Sequence, residues 1–300
     1  MTQILRCHCP KTIVAGIDDS RRHSPVEGVL VMQLLNRWVS SLFLASLALV
    51  PSSAHAQGLL FNLPDDGTAV EYEGNITLSA GPEDNNPLVW TSELSIKSVG
   101  REEAEYKGTV QPCRWIEIKV ITGKSEAAGI DPGPVGARIY KVLVPESRIM
   151  PDRQDSDGIP NDVLPIVKGF RRLGENEIKE IRSPGLVIYP TISLLTNYDS
   201  PEVVANADVP EVLAQGLSVT AKHMKGVQVM ERPESRSTNT GEYWVSSEIP
   251  FGLARWVVSI TTETKETTSP RSEFRLLQTR QTDMKLKRIR QNAESELITP

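Results

Sequence analysis

The chain has 300 residues, with 33 Lys+Arg against 38 Asp+Glu, a formal net charge of −5 and 39 % hydrophobic positions. This is the composition of an ordinary globular chain, and its acidic balance excludes a polybasic nucleic-acid binder, because a net negative surface repels phosphate. Three cysteines in 300 residues exclude a disulfide-built scaffold.

From the N-terminus, Arg37 leads into an uncharged run from Trp38 to Val50, followed by Pro51 and the triplet Ala54-His55-Ala56. A basic residue, a short apolar stretch and an A-x-A site are the parts of a secretory signal peptide cleaved after Ala56. The run is shorter than the ~20 residues that a membrane-spanning helix needs. Starting at Met32 gives a signal of ordinary length, so 1–31 reads as an over-called translation start and 32–56 as the signal. Cys7-His8-Cys9 lies in that first stretch without the partners a metal site requires. The expected mature protein begins at Gln57 and is periplasmic or secreted, with no stable membrane insertion. It keeps only Cys113 and His223, which leaves neither a His/Cys zinc site nor an internal disulfide. No dinucleotide fingerprint or phosphate-binding loop occurs, so no cofactor is expected.

Alternating apolar and polar residues predict strands over 68–79, 89–99, 103–109, 114–122 and 137–145, with a long Gly/Pro-rich loop at 123–136. The segments 163–174 and 175–182 read as short helices, and 202–217 as partly helical. Strand patterning resumes over 217–224, 226–231, 242–247, 254–264 and 272–278. Beyond Thr279 the pattern dissolves into a mobile or helical tail, 279–300, with Lys285, Lys287, Arg288 and Arg290 on a solvated face. One β-rich domain is expected over 57–278. Its class is α+β: a curved, half-barrel-like antiparallel sheet of about eight to eleven strands with a few helices packed on one face.

Candidate chemistry is sparse. Asp155, Asp157 and Asn161 offer oxygens to calcium in an acidic turn, but an EF-hand frame puts Arg153 at the first position and Leu164 at the twelfth, so the bidentate carboxylate is missing. An acidic surface turn is the simpler reading. Glu73, Glu117 and Glu248 sit in or beside strands, and paired carboxylates of this kind serve hydrolases. Glu117 falls in phase with Trp115 and Lys119, on the expected solvated face. His223 has no nucleophile motif to serve and reads as a lone exposed or half-buried histidine.

The segment with most character is Tyr243 to Leu253, an aromatic strand running into a Pro250-Phe251-Gly252 turn. Together with Cys113-Arg114-Trp115-Ile116-Glu117 and Lys141-Val142-Leu143-Val144-Pro145-Glu146, it resembles the secreted lipoprotein-carrier (LolA/LolB-like) half-barrel family. The resemblance implies an apolar cavity for acyl chains and no catalytic residue. The expected function is therefore non-catalytic binding of a hydrophobic ligand or an acylated protein. Trp244, Phe251 and Trp256 would line or gate the concave side, because Gly252 relaxes the turn between the two tryptophans. The plainer reading makes these rings ordinary core. A cell-envelope hydrolase using paired carboxylates is the alternative.

Overall fold

The structure, a computed structural model, describes residues 60–81, 84–149, 165–182, 198, 202–212 and 218–298. The segment 32–56 expected to be a signal peptide and the calcium-like turn with Asp155, Asp157 and Asn161 lie outside them. The strands are β1 (Ala69–Ser79), β2 (Leu88–Tyr106), β3 (Thr109–Glu126), β4 (Gly129–Asp131), β5 (Arg138–Pro145), β6 (Lys168–Leu173), β7 (Lys179–Glu180), β8 (Glu202–Val212), β9 (Ser218–Glu231), β10 (Ser235–Val245), β11 (Leu253–Thr264) and β12 (Arg275–Arg290). They form a 12-stranded sheet in the order β7-β6-β5-β3-β2-β1-β12-β11-β10-β9-β8, with β4 paired to β3. Every pairing in it is antiparallel.

Among the described residues the expected helices are absent: these residues hold single 3-10 turns such as Gly133–Val135 and Glu146–Arg148, and none of them forms an α-helix packed on the sheet. Residues 168–180 instead supply β6 and β7. Gly169 and Gly174 weaken a helix there, and Gly169 presses against Val142 and Ile181, where its missing side chain permits the approach. The 202–217 region gives β8, whose Val203, Val204, Val209 and Val212 favour extended backbone, and whose Pro210 is tolerated because β8 lies at the sheet edge. No helix among the described residues is long and apolar enough to cross a membrane.

The tail also departs from expectation. Residues 275–290 form β12, a central strand between β1 and β11. Thr282, Met284 and Leu286 point inward and are buried, in line with Ile76, Gly74 and Tyr72 of β1. The basic cluster is anchored by glutamates: Arg288 and Arg290 by Glu71, and Lys287 by Glu73 and Glu93.

Register divides the sheet into two faces. The inner face carries Tyr72, Leu94, Ile118, Val142, Trp256 and Tyr243; across it Tyr72 opposes Leu94, Leu94 opposes Val120, Ile116 opposes Val142 and Tyr243 opposes Trp256. These belong to one apolar cluster reaching from Val142 of β5 to Met224 of β9. Leu60, Phe61, Ile149, Tyr198, Ile249 and Phe251 complete the cluster from outside the strands.

Phe61 is fixed by its N–H, which donates to the Phe251 carbonyl at 2.8 Å. Gly252, at φ 87°, lies so close that an added Cβ would sit 2.7 Å from Phe61 Cβ. Gly252→Ala should therefore lower stability by about 1–3 kcal/mol through strained backbone and displaced Phe61. Thermal denaturation checks this, and an unchanged midpoint would contradict it.

Candidate functional site

The inner face of β9, β10 and β11 concentrates aromatic rings and buried polar groups. Tyr243 stands directly opposite Trp256 of β11 and Met224 of β9. Its ring stacks with Phe61 at 6.1 Å and with Tyr198 at 6.2 Å, while Trp256 meets Tyr72 edge-on at 5.0 Å. Tyr72 Oη donates to the Leu253 carbonyl at 2.8 Å. Burial pushes all three phenols, of Tyr72, Tyr198 and Tyr243, far above the ordinary tyrosine range, so they stay neutral.

Two glycines make room for Tyr198. Gly226 and Gly241 are cross-strand partners, and a Cβ on either would fall within 3.0 Å of that side chain. Tyr198 Oη donates to Asn239 Oδ1 at 3.2 Å. Gln228 Oε1, Asn239 Nδ2, Tyr243 Oη and Trp256 Nε1 are each buried without a hydrogen-bond partner among the described residues. Such groups are rare, because each costs about 1–3 kcal/mol of uncompensated desolvation. All four project from the same face: Asn239 opposes Gln228, and Tyr243 opposes Trp256.

Of the three residues singled out from sequence, the structure does not assemble a single gate. Trp256 and Phe251 are fully or almost fully buried in the apolar cluster. Trp244, also a buried member of that cluster, opposes Arg255 and not Trp256, so its side chain leaves the sheet on the outer face. There the His223 ring stacks on it at 4.3 Å and the Arg255 guanidinium lies 5.0 Å from its centroid. His223 Nε2 is 3.0 Å from Glu242 Oε2.

The outer face over β2, β3 and β5 carries a second polar assembly. Glu117 is fully buried, contrary to the solvated position expected of it. The reason is non-local: residues 294–297 cross the strand and donate to its carboxylate from Glu296 N–H (3.0 Å), Leu297 N–H (3.0 Å) and Ser295 Oγ (2.7 Å). Lys97, itself buried, adds a fourth bond at 2.9 Å and reaches Glu296 at 2.6 Å. Burial alone would raise the Glu117 pKa, but these donors outweigh it and hold the carboxyl below its usual range. Lys97 is raised, its two glutamate partners overcoming burial. The segment expected to be mobile is thus a strap pinned over β3.

Beside the strap a cleft of about 220 Å³ is lined by Glu71, Glu93, Lys119, Lys287, Arg290 and Glu296. Its charges are mutually neutralised: Lys119 bonds Glu296, and Lys287 joins the directly opposed Glu73 and Glu93. Glu73 and Glu117 are each committed to a cation, and Glu248 stands apart in the β10–β11 turn, where its N–H bonds Ser246 Oγ. The carboxylates named for hydrolysis therefore do not converge. Among the described residues, no group of three or more His, Cys, Asp or Glu is placed to hold a metal ion.

No protein-family model matches this chain, and no curated protein matches it.

Proposed function

We propose that this is an exported, non-catalytic binding protein that takes up a hydrophobic ligand, such as an acyl chain, against the inner face of β9–β11. The observation that supports this is an apolar face running continuously from β5 to β9, with no α-helix laid over it among the described residues. Single side chains, Phe61 and Tyr198, rest on it through aromatic stacking. Ligand sites are concave, apolar and aromatic, with few polar groups. The carrier expectation drawn from the sequence is retained here, with its contact residues revised: Trp256 and Phe251 stay on the ligand side, and Trp244, though buried, belongs to the outer face.

Tryptophan fluorescence titrated with lauric acid tests the reading. A saturable change is expected in the wild type and in Trp244→Phe, and it should be largely lost in Trp256→Phe. The absence of any saturable change in the wild type would reject the proposal. Equal responses from all three proteins would remove Trp256 from the site.

A further inference from the structure

We infer that the hydrophobic ligand carries an anionic head, a carboxylate or a phosphate, and that Arg280 holds it at the open end of the inner face. This rests on the proposed binding function and adds the chemistry of the head group and its place on the sheet.

Burial along the inner face falls in one direction. At one end Phe251, Leu253 and Ala254 are fully enclosed. Further along, Val258, Thr282 and Ile76 form a cross-strand row over β11, β12 and β1 and are still buried. The next row outward is Ile260, Arg280, Leu78 and Leu88, one residue from each of β11, β12, β1 and β2. In it Ile260, Arg280 and Leu78 are half-buried, and Leu88 is 57 % exposed. Trp90, opposite Ile76, is half-buried too. The apolar face therefore meets solvent at this row, where a ligand can reach it from outside.

The charge on this row has one sign. Among the described residues, the inner-face positions of β11 (256–262), β12 (278–286), β1 (72–78) and β2 (88–96) include Arg280 and no carboxylate. The acidic residues of the same stretches, Glu73, Glu93 and Asp283, stand at the alternate positions and face the other side. Arg280 has an apolar cross-strand neighbour on each flank, Ile260 and Leu78. An ion pair beside such surface is screened less than one in open water. The planar guanidinium can take two oxygens of a carboxylate or phosphate at once. A neutral head gains only an ordinary hydrogen bond, and a cationic head is repelled. The tail then lies on the apolar side chains around Arg280, with Ile260 leading into the β9–β11 face.

Tryptophan fluorescence and calorimetry on the full chain, with laurate, dodecyl phosphate and dodecanol below their micellar concentrations, test this. The titrations are run at about pH 8, where both acids are ionised. Laurate and dodecyl phosphate should bind about 10- to 100-fold tighter than dodecanol, the effect of a charge-assisted hydrogen bond. The advantage should shrink with added salt, and the tighter of the two anions names the head group. Arg280→Met should bring both anions to the affinity of dodecanol and leave dodecanol itself unchanged, while Arg280→Lys should keep part of the preference. Leu88→Glu, at an exposed position, should weaken the anions more than dodecanol. Dodecanol binding as tightly as the anions in the wild type would overturn the anionic site and leave apolar binding standing. Failure of all three to bind would overturn the binding function itself. An anion preference that survives in a folded Arg280→Met protein, or undiminished in Leu88→Glu, would overturn the placing of the head at Arg280.

Discussion

Glu117→Ala should cost about 3–5 kcal/mol of unfolding free energy, the range for breaking a buried ion pair from one side. The carboxylate holds two backbone N–H groups, one hydroxyl and Lys97 at once, so its loss detaches the strap and leaves a buried ammonium. Lys97 keeps Glu296 as a partner in principle, but Glu296 is placed by the N–H that Glu117 anchors. The variant should therefore expose residues 291–298 to protease as well as lower the urea midpoint. Lys97→Met with Glu117→Ala should lose less than Glu117→Ala alone, because no charge is then stranded. A cost below about 1 kcal/mol would put the pair in the class of surface ion pairs and refute the argument.

The pH dependence has a fixed sign. Glu117 has a lower pKa folded than unfolded, so its contribution is complete above the ordinary glutamate range and disappears as pH falls through its depressed folded value. Lys97 is raised, so its contribution is complete below the ordinary lysine range and disappears as pH rises through its elevated folded value. Stability attributable to the pair should form a plateau across neutral pH and decline at both ends. Glu117→Gln should flatten the acid limb.

Gly241→Val should be nearly as damaging, by about 3–5 kcal/mol, the range for losing a large buried aromatic. A Cβ at this position would lie 1.9 Å from Tyr198 Oη and 2.5 Å from its Cζ, so the ring must leave its slot. Valine itself suits a strand, which makes the eviction the main cost. Tyr198→Ala alone opens a cavity of similar consequence. In the double variant the valine fills space that the ring has vacated, so the combined loss should be well below the sum of the two. Additive losses in a double-mutant cycle by urea denaturation would show that the glycine is needed for some other reason.

How much of this was legible in the sequence depends on how far apart the partners are. β1, β3, β5 and β11 announce themselves by period-two alternation, because one face of each packs on neighbouring strands while the other meets water. β12 carries the same signal in Thr282, Met284 and Leu286. It is diluted by the intervening charges, whose glutamate partners lie about 200 residues earlier on β1 and β2, and its phase slips at the bulge opposite Glu71 and Tyr72. Glu117 was placed on the correct face but given the wrong surroundings, since nothing local announces a strap from residue 294 onward. The three aromatic residues fail as a group for a simpler reason. Spacing along a hairpin fixes side-chain direction only once the register is known, and the register opposes Trp244 to Arg255. The unsatisfied polar atoms left no mark in sequence at all, because Asn, Gln, Tyr and Trp ordinarily find partners.

The adjacency of β1 and β12 bears on the order in which the molecule can assemble. The meander β1 to β7 and the meander β8 to β11 share no strand pairing until β12 joins them, and β12 comes after all the other described strands in the chain. Until then each half presents a bare central edge, the kind of unpaired template that captures other chains. Sealing the seam closes a loop of about 200 residues, a contact whose entropic cost precedes its reward and which belongs to slowly folding, non-local topologies. A chain of this design leaves both central edges unpaired until the seam closes.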